Sequence, residues 1–330
     1  MLFINTLIMG SLISISSYNW FMMWIGLEIN LMSIIPLFKS HMNLYPVEAT
    51  LKYFITQALA STIILFTVFI SMNLTESLEN FNYWLMMILN SALLTKLGAA
   101  PFHYWFPEVM EGMNWMNSLI LLTWQKLAPM ILLSYNLNMS NFLSMIIILS
   151  SIISGIYGIN QISIRKILSF SSINHIAWML ASMLNYKMIL FIYFMVYSII
   201  SMNIILIFYY LNIYFIPQMF LILNKNKMIK LLFMFNFFSL GGLPPFLGFF
   251  PKWLVINNLT ENYFYTLSFI LISSTLITLF YYIRLTLPSL TLNYEESLIF
   301  ISSMNKFKII IFNILSILSL IICTNIFYNF

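Results

Sequence analysis

The chain has 330 residues, of which 62% are hydrophobic and 7% are charged, whereas soluble domains average roughly half apolar and about a quarter charged residues. This composition excludes a water-soluble globule. Fourteen Lys and Arg residues against nine acids give a formal charge of +5, but they form no run long enough for a nucleic-acid-binding stripe, which excludes DNA and RNA as partners. The single cysteine, Cys323, permits no intrachain disulfide, CxxC zinc site or four-thiolate iron–sulfur cluster.

The hydrophobic residues fall into segments that could cross a bilayer as helices. A hydrocarbon core about 30 Å thick requires about 20 apolar residues per helix. Segments that alternate in polarity, which would indicate a membrane β-barrel, do not occur. The predicted fold is therefore all-α, a polytopic membrane helical bundle without a soluble domain. We predict eleven transmembrane helices, at residues 2–18, 20–38, 51–73, 83–100, 116–135, 141–160, 166–184, 188–212, 230–250, 264–286 and 307–328.

The second predicted helix carries an acid at mid-depth. Glu28 lies near the middle of WFMMWIGLEINLMSIIPLF, where a short carboxylate has no route to water. A charge near the bilayer centre costs at least about 2.5–3.5 kcal/mol on insertion scales, so a residue that bears one is a functional candidate. The alternative is a permanently protonated acid that forms a hydrogen bond between helices.

Two lysines follow in the fourth and fifth predicted helices. Lys96 precedes LGAAP at residues 97–101, which interrupts the helix. A lysine near the end of a span is commonly a snorkelling anchor, but the unpaired carbonyls of a helix that stops inside the bilayer need protein or water around them. This favours a hydrated cavity beside Lys96. Lys126 lies too deep in its helix to snorkel easily, and Pro129 frees a backbone carbonyl nearby.

Histidines and loop acids are weaker candidates. His175 lies in the seventh predicted helix amid Ser171, Ser172 and Asn174, which suits either a hydrated proton relay or a satisfied core histidine. Glu108 follows the interruption at Pro107 and resembles an ordinary acid at a helix start, so we predict that it is a cap or a solvated charge.

A second interruption rich in Gly and Pro occurs in the ninth predicted helix, at residues 240–248 (LGGLPPFLG). Lys252 follows it, and because the adjacent Trp253 is typical of an interfacial belt, Lys252 is either an ion carrier or an anchor. The two interruptions lie five helices apart. A five-helix unit ends on the side opposite its start, so a second copy enters the membrane inverted. Gly and Pro are also generally frequent in membrane helices, which is the simpler explanation for either interruption alone.

The paired interruptions predict the organisation of the chain. We expect one membrane domain over residues 1–330, with a first five-helix repeat at 1–138 and a second, inverted repeat at 139–290. A C-terminal loop and helix follow at 291–330. The broken helices are predicted near 96–103 and 240–250.

The basic residues predict the orientation. With eleven helices, the side that holds the N-terminus contains Lys39, Lys52, Arg165, Lys166, Lys225, Lys227, Lys230, Arg284, Lys306 and Lys308. Lys187 lies on the opposite side. Positive charge stays on the side of synthesis. The many Phe, Tyr, Met and Ile residues are typical of an AT-biased organellar genome, and the N-terminal residues lack the features of an import leader. We therefore expect the N-terminus in the mitochondrial matrix and the C-terminus in the intermembrane space.

The chemistry that fits these residues is proton transfer. A buried lysine keeps its proton beside a carboxylate and releases it more readily when the two separate. The candidate proton-transfer residues are therefore Glu28, Lys96, Lys126, Lys252 and His175. No GxGxxG after a strand, GxxxxGK[ST] or HExxH motif occurs, so we predict no cofactor-binding or metal-ligating residues.

Five segments resemble, in the same order, segments of the subunit 2 family of mitochondrial NADH dehydrogenase (ubiquinone). This family is part of respiratory complex I and is one of its antiporter-like subunits. The segments are GLEIN at 26–30, KLGAAPFHYWFPEV at 96–109, TWQKLAP at 123–129, RKILSFSSI at 165–173, and LGGLPP at 240–245 with FPKW at 250–253. The resemblance covers about residues 20–287. The pattern is similar to the shortened animal form of the family, and the AT bias is reminiscent of insects.

The resemblance implies a core subunit of the complex I membrane arm that translocates protons from the matrix to the intermembrane space. By motif, Glu28 with Lys96 would form the acid–lysine pair, Lys126 the central lysine and Lys252 the terminal charge. Electron transfer in other subunits would drive the process, so NADH, FMN, iron–sulfur clusters and ubiquinone are expected in those subunits. No redox site is expected in this chain. The expected partners are other membrane-arm subunits and lipids, including cardiolipin. The alternatives are a cation/proton (Na⁺/H⁺) antiporter subunit and a purely structural spacer.

Overall fold

The computed structural model describes residues 2–38, 44–73, 79–137, 139–223, 227–244 and 246–291. Within these ranges the chain is helical and forms no strand beyond an isolated antiparallel bridge between Ser163 and Phe215. The helices are α1 (Leu2–Ser16), α2 (Trp20–Phe38), α3 (Leu44–Asn73), α4 (Glu79–Leu97), α5 (Trp105–Gly112), α6 (Trp115–Leu122), α7 (Trp124–Leu133), α8 (Ser140–Ile159), α9 (Ile164–Met183), α10 (Lys187–Leu211), α11 (Ile216–Leu223), α12 (Lys227–Gly241), α13 (Phe249–Glu261) and α14 (Tyr265–Thr291).

Six stretches of the described residues are long and apolar enough to cross a bilayer, and they lie in α2, α3, α6 with α7, α8, α10 and α14. Shorter apolar helices occur at Leu2–Ser16, Tyr83–Leu97 and Lys230–Gly241. The chain is therefore a helical membrane protein, as its composition predicted. The total of eleven spans remains a prediction, and the last predicted span, 307–328, lies outside the described residues.

The structure differs from the predicted helices in one divided helix and three additional short helices. The fifth predicted helix, at 116–135, is divided at Thr123 into α6 and α7. Three short helices were left out of the span prediction: α11, and α5 and α13, which follow the predicted interruptions. All three are shorter than the roughly 20 residues that a membrane span needs, so the length criterion for spans does not detect them.

The described chain forms two compact units, with a boundary between Ile146 and Ile147 inside α8. In the first unit, α1 and α2 pack closely because small residues face each other. A Cβ atom added at Gly26 would lie 2.6 Å from the backbone nitrogen of Ser14, and one at Gly10 would lie 2.9 Å from the backbone nitrogen of Asn30. Small residues at such crossings let helix backbones approach in a membrane. The predicted repeat limits at 138 and 290 remain a prediction.

The second unit is built around α9. Every residue of this helix from Ile167 to Met183 is buried, although the segment includes several serines, an asparagine and a histidine. α9 packs against α10, α13 and α14. A polar helix that is buried along its length places hydrogen-bonding groups inside the unit, where they need partners.

Candidate functional site

Helix α4 ends at an interruption that we name the first break, residues 98–104. Gly98 has φ of +75°, a left-handed conformation that favours glycine. Its N–H donates to the Thr95 carbonyl at 3.1 Å, and the N–H of Ala99 donates to the Leu94 carbonyl at 3.1 Å. This pair of bonds is the Schellman motif that terminates helices at a glycine. The first break is therefore a specific helix end.

Helix α12 ends in the same way at the second break, residues 242–248. Gly242 has φ of +76°. Its N–H donates to the Ser239 carbonyl at 3.0 Å, and the N–H of Leu243 donates to the Phe238 carbonyl at 3.2 Å. The two breaks thus share one hydrogen-bonding pattern.

The helices that follow the two breaks also correspond. α5 and α13 begin the same number of residues after Gly98 and Gly242. Each has proline at its third position, Pro107 in α5 and Pro251 in α13, where the missing N–H is tolerated because the first turn has no helical acceptor for it. The breaks therefore correspond in sequence spacing and in the backbone geometry of their first residues.

The second break holds Lys252. The side chain is 6% exposed, and its ammonium donates to the carbonyls of Gly241 at 2.8 Å and Leu240 at 3.3 Å. These carbonyls are the C-terminal end of α12, which carries a partial negative charge. The ammonium also lies 5.9 Å from the centre of the Trp178 ring of α9. The Lys252 ammonium is thus held inside the second unit by the carbonyls at the end of α12.

Lys96 occupies the last turn of α4, immediately before the first break, and is 8% exposed. It borders a cavity of about 20 Å³ between α2, α3, α4 and α7. The polar residues that line the cavity are Asn30, Tyr53, Gln57, Lys96 and Gln125. Polar side chains from α2, α3 and α7 therefore line the cavity beside Lys96, and its hydration stays a prediction.

Lys126 is 1% exposed in α7 and lies just after the division at Thr123. Its ammonium lies 5.6 Å from the centre of the Phe106 ring, a distance at which a cation is attracted to the face of an aromatic ring. Phe106 belongs to α5, so the helix after the first break contributes directly to the surroundings of Lys126. The division at Thr123 was not predicted, and Pro129 inside α7 is the nearest signal for it in the sequence.

Glu28 lies on α2 with its side chain partly buried. Its charge acts on Lys96, but the two do not approach within the 4.0 Å of a direct ion pair. The first unit therefore places the acid and the lysine in electrostatic contact with a gap between them.

His175 is buried in α9 of the second unit. Its Nδ1 atom lies 2.9 Å from the hydroxyl of Tyr193, and its ring is 4.9 Å from the ring of Tyr197, measured between centroids. Both tyrosines belong to α10. The neighbouring hydroxyl is compatible with a relay and with a satisfied core histidine, so the two interpretations of His175 remain open.

Glu108 lies in the first turn of α5, at a helix start. Its carboxylate pairs with Lys52 at 3.0 Å, and Lys52 also pairs with Glu48 at 2.9 Å. Lys52 lies within the predicted span 51–73, and α3 begins seven residues before that span, so it also includes Glu48. All three side chains are solvent-exposed, so the pairs add little to stability but mark where α5 meets α3.

The polar residues around Lys96 were not predicted as site residues. Tyr53 and Gln57 lie four residues apart on α3, which places them on one face of the helix. Polar side chains with that spacing in an apolar span are a signal that the sequence offered. The partner residues Asn30 and Gln125 lie on α2 and α7, and only the packing of the helices brings them to the same cavity.

Comparisons with known proteins agree with this architecture. The profile of the family described as NADH:quinone oxidoreductase/Mrp antiporter, transmembrane, matches residues 17–278. The NADH-ubiquinone oxidoreductase chain 2 of Aedes aegypti is 49% identical over 332 aligned residues, which cover 99% of this chain and 97% of that protein. The protein of the same name from Anopheles gambiae is 47% identical over 299 residues, covering 90% of this chain and 87% of that protein.

A solved structure shares the fold. A chain of respiratory complex I from Thermus thermophilus superposes with a TM-score of 0.86 at 21% identity, covering 97% of this chain and 77% of that chain.

Proposed function

The chain belongs to the NADH:quinone oxidoreductase/Mrp antiporter transmembrane family, and on this basis we propose that it is a proton-translocating membrane-arm core subunit of an NADH:ubiquinone oxidoreductase, respiratory complex I. Relatives at 47–49% identity over most of the chain bear the name NADH-ubiquinone oxidoreductase chain 2. The sequence-based recognition of this family is confirmed.

The observation that carries the function is the set of three buried lysines. Lys96, Lys126 and Lys252 are each less than 10% exposed in a membrane protein. Each lies at a discontinuity in a helix: the first break, the division at Thr123 and the second break. An ionisable group at membrane depth is costly and is kept where protons or ions move. Interrupted helices supply the polar backbone groups that such a path needs.

In the proposed mechanism, the proton enters the first unit and reaches Lys96 while the charge of Glu28 holds the ammonium form. When the influence of Glu28 weakens, Lys96 passes its proton toward Lys126. Lys252 is the terminal carrier, and His175 is a further carrier in the second unit. The net movement is from the matrix to the intermembrane space, driven by electron transfer in other subunits. NADH, FMN, iron–sulfur clusters and ubiquinone belong to those subunits, and this chain has no redox site.

The proposed architecture has eleven spans and two inverted five-helix repeats with the limits predicted from the sequence. The matching Schellman ends of the first and second breaks support it, as does the equal spacing from each glycine to the proline of the next helix. Duplication followed by inversion would produce such a pair of breaks.

The proposed location is the mitochondrial inner membrane, with the N-terminus in the matrix and the C-terminus in the intermembrane space. Two contacts support placing the basic residues of the second unit on one side. Arg284, near the end of α14, donates to the Ile159 carbonyl at the end of α8, at 2.6 Å. Arg165 lies 4.7 Å from the Tyr214 ring, beyond the end of α10. The proposed partners are other membrane-arm subunits and lipids, including cardiolipin.

A single substitution tests the function. Lys126→Met in the intact complex removes the central ionisable group and keeps the length of the side chain. We expect fewer protons transported per NADH oxidised in membrane vesicles. Lys187→Met is the matched control, because Lys187 is an exposed residue at the start of α10. Unchanged coupling in Lys126→Met would favour a structural spacer, and transport that depends on sodium would favour the cation/proton antiporter.

A further inference from the structure

Lys126 lies on a helical turn whose backbone bonding departs from that of a regular helix at both ends. α7 begins anew after Thr123, and the N–H of Lys126 donates three residues back, to the Thr123 carbonyl at 3.2 Å. At the other end of the turn, Pro129 has no N–H, so the carbonyl of Gln125, four residues earlier, lacks its helical donor. The backbone therefore holds residues 124–128 less firmly than an uninterrupted helix would.

The Gln125 side chain supplies bonds from this turn to two other helices. Its Nε2 atom donates to Oδ1 of Asn30 on α2 at 2.9 Å, and its Oε1 atom accepts from the Tyr53 hydroxyl of α3 at 3.4 Å. We name these three residues, Asn30, Tyr53 and Gln125, the Gln125 bridge. Polar side chains that bond across helices hold membrane bundles together, so the bridge ties the turn that carries Lys126 to α2 and α3.

The two partners of Gln125 are themselves fixed by packing. A Cβ atom added at Gly10 of α1 would lie 2.9 Å from the Asn30 backbone nitrogen, so α2 is packed closely against α1 at this residue. Tyr53 is 3% exposed, and its ring meets the Phe38 ring edge to face, with 5.5 Å between centroids. The bridge therefore connects α7 to two residues that have little freedom to move.

Tyr53 also leads to the aromatic partner of Lys126. Its ring lies 5.7 Å from the Trp105 ring, and the Trp105 ring lies 5.3 Å from the Phe106 ring, both edge to face. Phe106 is the ring whose centre lies 5.6 Å from the Lys126 ammonium. Through Gln125 on one side and Trp105 on the other, Tyr53 is connected to both groups. The turn that carries Lys126 and the helix that carries Phe106 therefore share one anchor.

We propose that Gln125 is a positioning residue for Lys126, which holds the Lys126 ammonium against Phe106 through the Gln125 bridge. The inference rests on the proposed function, in which Lys126 is the central proton carrier. A side-chain amide does not titrate near neutral pH, so the contribution of Gln125 is geometric. A misplacement of about 1 Å can slow a step that depends on geometry by about 100-fold. The bridge therefore acts on the rate at which Lys126 gains and loses its proton.

The test uses Gln125→Met, which keeps the length of the side chain and removes both bonds of the bridge. The matched control is Ser134→Ala, at the end of the same helix, because the Ser134 hydroxyl is also buried but bonds its own helix at the Ile131 carbonyl. Two quantities are measured in the intact complex. They are the distance between the Lys126 ammonium and the Phe106 ring in a cryo-electron microscopy map, and the initial rate of NADH-driven proton transport in vesicles.

We expect Gln125→Met to change this distance by about 1 Å or more and to slow transport about 5- to 10-fold. Ser134→Ala should leave both quantities unchanged. Equal distances and equal transport rates in the two variants overturn the proposal. A change in only one of the two quantities also overturns it, because the proposed role requires that displacement of Lys126 and slower transfer occur together.

A second variant separates positioning from stability. Gln125→Met alone leaves the polar groups of Asn30 and Tyr53 buried without their partner, whereas replacing all partners by apolar groups of similar shape can be nearly neutral. The triple variant is Asn30→Leu, Tyr53→Phe and Gln125→Met. We expect its melting temperature to return toward that of the unmodified complex while transport per assembled complex stays slow. Recovery of transport together with the melting temperature would show that the bridge only stabilises the bundle, and this test stands even if Gln125→Met does not assemble.

The Lys126→Met experiment separates this proposal from the function on which it rests. If Lys126→Met loses coupling and Gln125→Met transports as fast as Ser134→Ala, the positioning role is wrong and the proton-translocating function stands. If Lys126→Met pumps normally, the function itself is wrong, and the positioning role is wrong with it.

Discussion

At the second break, the Lys252 side chain occupies the space that a side chain at residue 242 would need. A Cβ atom at Gly242 would lie 2.7 Å from Cδ and 2.9 Å from Nζ of Lys252. The ammonium can therefore reach the carbonyls at the end of α12 only because residue 242 has no side chain. At this position glycine supplies both the left-handed backbone and the space for the lysine.

Gly242→Ala should move Lys252 away from the α12 carbonyls. The left-handed conformation costs an L-residue roughly 1–2 kcal/mol, and the clash with Lys252 adds to this. We expect a lower melting temperature of the complex and several-fold slower proton transport. The matched control is Gly241→Ala, where an added Cβ would meet its nearest atom, in Tyr282, at 3.6 Å and fits without strain. Equal transport in both variants would contradict a role for the Lys252 position.

At the level of single residues, the sequence identified site candidates where a charged residue lies within an apolar segment. Lys96, Lys126 and Lys252 were singled out because an ionisable side chain in a membrane span has few innocuous explanations. Gln57 was not, because a neutral amide in a span is much less conspicuous than a charge. Its place in the cavity beside Lys96 and the lack of a partner for its Nε2 are revealed only by the three-dimensional packing.

At the scale of elements, α1 and α2 depend on small residues at their crossing. The added Cβ of Gly26 would lie 2.6 Å from a backbone nitrogen of α1 and 2.8 Å from the Gly10 carbonyl. Backbone atoms cannot rotate away as a side chain can. The distance between these two helices is therefore set by the absence of a side chain at residue 26, and α2 also carries Glu28 and Asn30.

Gly26→Ala should push α1 away from α2. Overpacking of this kind typically costs about 1–3 kcal/mol, so we expect a lower melting temperature and less assembled complex in detergent extracts. The control is Met32→Ala on the same helix, because Met32 is 59% exposed on the outer surface of this chain. The melting temperature and the assembled fraction are measured for both variants. A melting temperature unchanged by Gly26→Ala would show that α1 can move without cost.

The two breaks were predicted from the sequence, whereas the division at Thr123 and the short helices were not. Gly and Pro at residues 97–101 and 240–248 predicted two interrupted helices, and α4 and α12 do end there. The division at Thr123 was not predicted, since one threonine is a weak signal in an apolar segment. α5 and α13 were missed because neither is long enough to match the length of a span.

The whole molecule has an orientation that the charges predict and a labelling experiment can test. In a variant with Cys323→Ser, single cysteines are introduced as Ile162→Cys, between α8 and α9, or as Lys187→Cys, at the start of α10; both positions are exposed. With the outer membrane removed, a membrane-impermeant maleimide should label Lys187→Cys at once and Ile162→Cys only after the inner membrane is permeabilised. The reverse pattern would place the N-terminus in the intermembrane space.

The bonds of Lys252 bear on how a proton can arrive there. A neutral amine keeps two N–H groups, one for each of the carbonyls of Leu240 and Gly241. The lone pair then points away from the end of α12. In the proposed mechanism, Lys252 can therefore lose and regain its proton without moving its side chain, and the proton approaches from the side opposite the end of α12.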